Sequence, residues 1–299
     1  MTTFLLVSFS NNRSYNKRRC FVCLFVPFFR CSGMKQPGQV IDTNCTIEIS
    51  TCPIIYYLLF YMIKISIVVP AYNGEDYLPA SLEKIVAAQA FYDGNSELIV
   101  VDNESADRTA QIAESLGAKV STEAEHNIGK VRNIGARNAT GDVLIFIDAD
   151  TLVPVKLFRK TAAAMIDEKC FGGAVAVKYD EFERKWMRWY LLGWRFWGKL
   201  FDMKQGATQF CRNAIFEEIG GYDASVYMGE DIMFYWHMSK YAKQKGGYLT
   251  FIENPQVMTS ARRFDRMSLW KTFLLTHPFF LLTAKRKRFW RDWYEKPIR

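Results

Sequence analysis

The sequence predicts an α/β protein built on a parallel sheet covered by helices. Three observations carry this reading. Residues 65–69, 98–101 and 143–147 are short apolar runs rich in β-branched residues, as expected of strands buried on both faces. The stretches between them place apolar residues at helical spacing. Pro, Gly, Asn or Asp clusters close most of these segments and turn the chain. Strand, helix, strand, helix, strand in that order is the pattern of a sheet flanked by helices.

Taken in order, residues 65–69 form the first strand, closed by Pro70-Ala71-Tyr72-Asn73-Gly74. Residues 77–90 carry Leu78, Leu82, Ile85, Val86 and Ala90 on one helical stripe. Residues 98–101 form the second strand, ending at Asp102. The polar turn Asn103-Glu104-Ser105-Ala106-Asp107 leads into a helix over 108–116, ended by Gly117. A short strand at 119–121 and a helix over 128–139 follow. Gly141-Asp142 then turns the chain into 143–147, which stops at Asp148-Ala149-Asp150. Further on, 171–177 and 209–212 read as strands, the latter feeding a helix at 213–219 that Gly220-Gly221 ends. Glu230 and Asp231 open another helix, and 249–252 is the last strand.

The formal charge is +8, divided unevenly. Residues 1–61 hold six Lys/Arg against two Asp/Glu and contain five of the seven cysteines. They show no sustained period. Their apolar bursts are too short to span a bilayer, and Cys20-x-x-Cys23 lacks a second Cys/His pair for zinc. Residues 1–61 are therefore expected to be non-native or disordered, with a start at Met62; an amino-terminal membrane anchor is the competing reading. A catalytic domain over 62–260 and a basic, aromatic tail over 261–299 complete the expected organisation.

Asp148 and Asp150 lie two residues apart at the end of a buried strand and can point the same way. Converging carboxylates repel unless a cation sits between them. Mg²⁺ or Mn²⁺ meets that need, taking one or two carboxylates and then phosphate oxygens. A solvated strand-to-loop exit accounts for an Asp-x-Asp as well. In parallel sheets, ligands bind outside the carboxyl ends of the strands. Tyr72, Asp102 and the Asp148/Asp150 pair all fall on that rim, which favours the metal-and-phosphate reading. No Gly-x-Gly-x-x-Gly or P-loop is present, so a bound nucleotide would not rest on a glycine-rich loop.

Four motifs in order resemble family 2 glycosyltransferases of the GT-A fold: Val68-Val69-Pro70-Ala71-Tyr72-Asn73, the run from Ile99 to Thr109, Arg132-Asn133-Ile134-Gly135, and Asp148-Ala149-Asp150. The resemblance covers about residues 64–235. It implies a Rossmann-like, mostly parallel mixed sheet with helices on both faces. It also implies inverting transfer of a sugar from a nucleotide-diphosphate donor to an acceptor hydroxyl. By this resemblance Tyr72 and Asp102 flank the donor's nucleobase, with Pro70 and Asp107 in the same donor-binding motifs. Arg132 holds the base or diphosphate region, and Asp148 and Asp150 carry a divalent metal ion. Asn103 and Glu104 depart from the glycine usual after the Asp102 position. Gly229-Glu230-Asp231 is similar to the family's acidic motif, with Asp231 as general base and Glu230 orienting the acceptor; plain helix capping explains the same residues.

Arg262 and Arg263 follow the last predicted strand and suit a diphosphate clamp, or equally a solvated loop. His126, His237 and His277 are candidates for a third metal ligand, although His237 falls on a different helical face from Asp231. Residues 183–204 set Trp186, Trp189, Tyr190, Trp194, Trp197, Leu200 and Phe201 on one helical arc, opposite Arg184, Lys185, Arg188, Arg195 and Lys199. That pattern suits a helix in a membrane interface, or one packed on its own domain. The tail repeats it with Lys285-Arg286-Lys287-Arg288 beside Phe289, Trp290 and Trp293. The expectation is a cytoplasmic enzyme, peripheral at the cytoplasmic face of the membrane, with a carbohydrate or lipid-linked acceptor. The carboxylate rim argues against nucleic acid. A nucleotidyltransferase and a catalytically silent membrane-surface or sugar-binding protein are the alternatives.

Overall fold

The computed structural model describes residues 5–7, 22–24, 63–180, 187–204, 206–262 and 278–290. The chain divides into two units, Met1–Glu48 and Ile49–Arg299. In the first, β1 (Leu5–Val7) pairs antiparallel with β2 (Val22–Leu24).

The second unit runs β3 (Ile65–Ala71), α1 (Leu78–Phe91), β4 (Ser96–Asp102), α2 (Thr109–Ser115), β5 (Lys119–Thr122), α3 (Ile128–Arg137) and β6 (Val143–Ile147). It continues through β7 (Thr151–Leu152), α4 (Leu157–Met165), β8 (Cys170–Tyr179), α5 (Met187–Leu200), β9 (Thr208–Arg212), α6 (Asn213–Glu218), α7 (Glu230–Gln244) and β10 (Tyr248–Thr259). A 3-10 turn spans Pro278–Thr283. The sheet order is β5-β4-β3-β6-β9-β8-β10-β7. β5, β4, β3 and β6 are parallel neighbours. β9 runs antiparallel between β6 and β8, β10 is parallel to β8, and β7 closes the edge antiparallel.

The central strands explain the two helical layers. Every residue of β6 is buried, and its side chains alternate between faces. Val143, Ile145 and Ile147 join Ile65, Ile67 and Val69 under Leu78, Leu82 and Ile85 of α1 and Leu157, Phe158 and Met165 of α4. Leu144 and Phe146 face the other way, against Phe216 of α6 and Phe234, Tyr235 and Met238 of α7. A strand apolar on both faces thus requires helices on both faces.

The structure departs most from the sequence reading at three places. β3 runs through Pro70 to Ala71 instead of stopping at Val69. β6 pairs with β3 only as far as Val68, so the absent Pro70 N–H falls where the neighbouring strand has ended. β7 and α4 were not expected. β7 is two residues long, and α4 carries three alanines that weaken its apolar contrast. β10 extends seven residues beyond Ile252, with a break in register between Ile252 and Val257. The extension carries Thr259 and Arg262 to the carboxyl rim.

Candidate active site

The site is organised by a buried arginine on α3. Arg132 is only 2% exposed, and its Nη1 donates to Glu230 Oε1 at 2.6 Å while Nη2 donates to Asp148 Oδ1 at 2.7 Å. Its guanidinium carbon lies 5.2 Å from the Tyr222 ring centroid. Burial opposes the charge, but Asp148 and Glu230 outweigh it and hold Arg132 protonated well above the ordinary arginine range. Local sequence dictates the placement. The Asn127 side chain caps α3, accepting from the Lys130 N–H at 3.0 Å. A Cβ at Gly135 would lie 2.2 Å from Val68 Cγ1, so glycine lets the helix lie this close to β3. The next motif residue, Asn133, exchanges two hydrogen bonds with the Tyr222 backbone at 2.8 and 2.9 Å, fixing the turn that leads to α7. The resemblance gave Arg132 the base or diphosphate region; here its guanidinium is engaged by two carboxylates, Asp148 and Glu230.

Asp148 and Asp150 are each about a third exposed and engage different arginines. Asp148 pairs with Arg132, and its backbone N–H donates to Ala207 O at 3.1 Å. Asp150 accepts from Thr259 Oγ1 at 3.2 Å and from Arg262 Nη2 at 3.4 Å. Arg262 lies with its guanidinium carbon 3.7 Å from the Tyr77 ring centroid. Arg263 and His277 fall outside the described residues, and His237 is exposed on α7. Among the described residues, no cluster of three or more His, Cys, Asp or Glu could cage a cation. Two partly exposed carboxylates nevertheless fit Mg²⁺ or Mn²⁺, which take few protein ligands and complete their shell with water and phosphate.

The rim expected to receive the nucleotide lies at the carboxyl ends of β3 and β4. Tyr72 is half-buried and packs against His126, ring centroids 4.7 Å apart. Asp102 Oδ2 accepts the Ser105 N–H at 3.2 Å. Pro70 and Asp107 lie in the same two motifs. Pro70 is buried within β3, paired with Val101. Asp107 is used as a loop tie, accepting the Glu75 N–H at 3.2 Å and the Thr109 N–H at 3.0 Å.

On the other side, α7 begins with Glu230 and Asp231, preceded by Gly229 at φ 72°. Burial and the neighbouring Glu230 carboxylate push Asp231 up to about 7, against the pull of Arg132 and of the Ile232 N–H. Two features here escaped the sequence reading. A Cβ at Gly206 would meet Asp231 Oδ2 at 2.5 Å, so the segment before β9 passes directly over the carboxylate. Gln209 of β9 donates to the Asp231 carbonyl at 3.1 Å. Thr259, Tyr77 and Tyr222 were missed as well. Only the Gly-Gly-Tyr before α7 carried a sequence signal for Tyr222.

The α5 helix exposes Leu192, Phe196 and Leu200 at i, i+4 and i+8, with Arg195 and Lys199 beside them. Trp197 turns inward, toward Met203, Ile232 and Trp290. Of the arc drawn from sequence, Leu200 and Phe201 are exposed and Trp197 is not, Leu192 and Phe196 were not part of it, and Trp186 and the side chains of Trp189, Tyr190 and Trp194 lie outside the description. The Trp236 indole donates to the carbonyls of Phe201 and Asp202 at 3.0 and 3.1 Å, pinning the end of α5 to α7.

With sheet order and site in place, the class is defined by comparison. The sequence profile of glycosyl transferase family 2 matches residues 66–220, and the chain belongs to that family. It is 40% identical over 114 residues to the Staphylococcus aureus poly(ribitol-phosphate) beta-N-acetylglucosaminyltransferase TarS, a match covering 36% of this chain and 19% of TarS. It is 32% identical over 130 residues to an undecaprenyl-phosphate 4-deoxy-4-formamido-L-arabinose transferase of Sodalis glossinidius, covering 41% of this chain and 40% of that one. The chain therefore spans less than half the length of either relative. In structure it is similar to S. aureus TarS 1–349, with TM-score 0.51, 25% identity, and coverage of 68% of this chain and 62% of that one. It shares its fold with glucosyl-3-phosphoglycerate synthase from Mycobacterium tuberculosis, solved with Mn²⁺, UDP and glucosyl-3-phosphoglycerate (TM-score 0.53, 16% identity, coverage 74% and 78%). The fold is that of GT-A glycosyltransferases.

Proposed function

We propose that this protein transfers a sugar from a nucleotide-diphosphate donor to an acceptor hydroxyl with inversion at the anomeric carbon. The observation that carries this reading is the Arg132 bridge. It ties the Asp148 loop, where the donor diphosphate would sit, to the start of α7, where a carboxylate is raised to about 7. A base poised near neutrality is suited to take the acceptor's proton.

Tyr72 and Asp102 receive the nucleobase side of the donor. Asp148 and Asp150 would hold Mg²⁺ or Mn²⁺, which when bound supplies Lewis-acid stabilisation of the departing diphosphate. Arg262 lies beside Asp150 and can turn its guanidinium to the diphosphate. Asp231 takes the acceptor hydroxyl proton as the oxygen attacks the anomeric carbon and the bond to the diphosphate breaks. Glu230, fixed by Arg132, keeps Asp231 raised and orients the acceptor. One displacement inverts the configuration.

We also propose peripheral contact with an anionic membrane, supporting a lipid-linked acceptor. Among the described residues no helix is long and apolar enough to cross a membrane. The exposed Leu192, Phe196, Leu200 and Phe201, with Arg195 and Lys199, suit the interface instead. The relative that uses an undecaprenyl-phosphate acceptor agrees with this reading.

A donor panel tests the proposal. Nucleoside diphosphate release is measured for each nucleotide sugar with Mn²⁺, with Mg²⁺ and with EDTA, a membrane extract serving as acceptor. Metal-dependent release from one donor is expected. No release from any donor overturns the proposal. Flotation with phosphatidylglycerol liposomes at low salt tests membrane contact, and protein left at the bottom rejects it.

A further inference from the structure

We propose that His126 reads the edge of the donor's nucleobase together with Asp102, and that Asn103 positions it to do so; this rests on the donor-site reading above. Asp102 is 5% exposed, and its Oδ1 is buried without a hydrogen-bond partner. His126 Nδ1 is likewise buried and unpartnered. Buried polar atoms are almost always bonded, so two left bare at one rim mark where a ligand's groups belong.

The backbone brings them to that rim. Glu123 N–H donates to the Asp102 carbonyl at 3.0 Å, carrying the β5–α3 loop alongside the end of β4. The Asn103 side-chain amide donates to the carbonyls of Glu123 at 2.5 Å and Glu125 at 3.0 Å. Those bonds hold the segment just before His126, whose ring packs on Tyr72.

The chemistry defines the ligand class. An ionised carboxylate only accepts, whereas an imidazole with its proton on Nδ1 donates there. The complementary edge is a ring N–H beside a carbonyl, as uracil and guanine present. With the ring nitrogen set on Asp102, cytosine and adenine present a lone pair to the carboxylate; they fit only if shifted so that the amino group meets Asp102 and the ring nitrogen meets His126. His126 is thus a base-contacting residue and Asn103 a positioning residue.

Calorimetry on the full chain with Mn²⁺ tests this, titrating UDP, GDP, CDP, ADP and inorganic pyrophosphate. Wild-type protein should prefer UDP or GDP. His126→Ala should weaken the preferred nucleotide about tenfold and leave pyrophosphate unchanged. His126→Phe keeps a ring against Tyr72 and should show the same loss. Asn103→Asp should shrink the base preference similarly. The double variant with His126→Ala should lose no more than His126→Ala alone, since Asn103 acts through His126. Preference retained in both His126 variants overturns the inference, as does an equal loss for pyrophosphate. A wild-type preference for CDP or ADP overturns it while leaving the donor reading intact. No nucleotide binding at all overturns both.

Discussion

The two ends of β4 each carry a carboxylate, and they are treated in opposite ways. At the amino end, Glu97 accepts from Ser66 Oγ at 2.6 Å, from Thr140 N and Oγ1 at 2.7 Å each, and from Lys119 Nζ at 2.7 Å. Burial would raise it, but these bonds prevail and hold it at about 2. At the carboxyl end, Asp102 keeps one oxygen unpartnered. Beyond it, Asp231 is pushed up to about 7 by burial and by Glu230. Glu97 ties β3, β4, β5 and the turn before β6 together, a structural task for which full satisfaction is best. The opposite rim leaves one Asp102 oxygen unpartnered and raises Asp231, which costs stability and suits groups reserved for a ligand and a proton.

The sharpest way to break this contrast is at Asp231. Asp231→Asn should lower kcat by about 10²–10⁴-fold, the usual worth of a general base, while donor binding by calorimetry stays intact. Full turnover in this variant would return Asp231 to the role of a helix cap. Next is the bridge. Arg132→Leu leaves Asp148 and Glu230 without their buried counter-charge and should destabilise the protein by about 3–5 kcal/mol in urea unfolding. Arg132→Lys should recover part of that stability but cannot make both short bonds with one forked group.

Smaller effects separate the two ends by pH. Glu97 has a folded pKa below its ordinary value, so its contribution is present above about 4 and lost as pH falls toward 2. Glu97→Gln should destabilise by about 1–3 kcal/mol at neutral pH and flatten that acid limb. Asp231 runs the other way. Its folded pKa of about 7 lies above the ordinary value, so its stabilising share is present below about 4 and fades as pH rises through 7. Stability of Asp231→Asn should therefore not decline across that window. Smallest is Arg262→Ala. The exposed pair with Asp150 is weak, so free Mn²⁺, followed by its EPR signal, should bind at most about fivefold more tightly.

Much of this arrangement was legible in the sequence, where its physics is local. β6 and its terminal Asp148 and Asp150 follow from an apolar run ended by carboxylates, and α7 from its acidic first turn. The long-range partners were not legible. That Arg132 bonds Glu230, 98 positions away, depends on how closely Gly135 lets α3 approach the sheet. That Asp107 bonds the Glu75 and Thr109 backbone and that Pro70 pairs with Val101 were not legible either, because a motif gives position in the chain but not the direction of a side chain. The same limit hid Gly206, whose role is only the absence of a Cβ beside Asp231.

The most direct test of the account is the pH dependence of kcat/KM for donor turnover in wild-type protein and in Glu230→Gln. The account predicts an acid limb with an apparent pKa of about 7, set by Asp231, that moves to lower pH when the Glu230 charge is removed. A limb that stays in place in the variant, or a wild-type profile flat across neutrality, would contradict it.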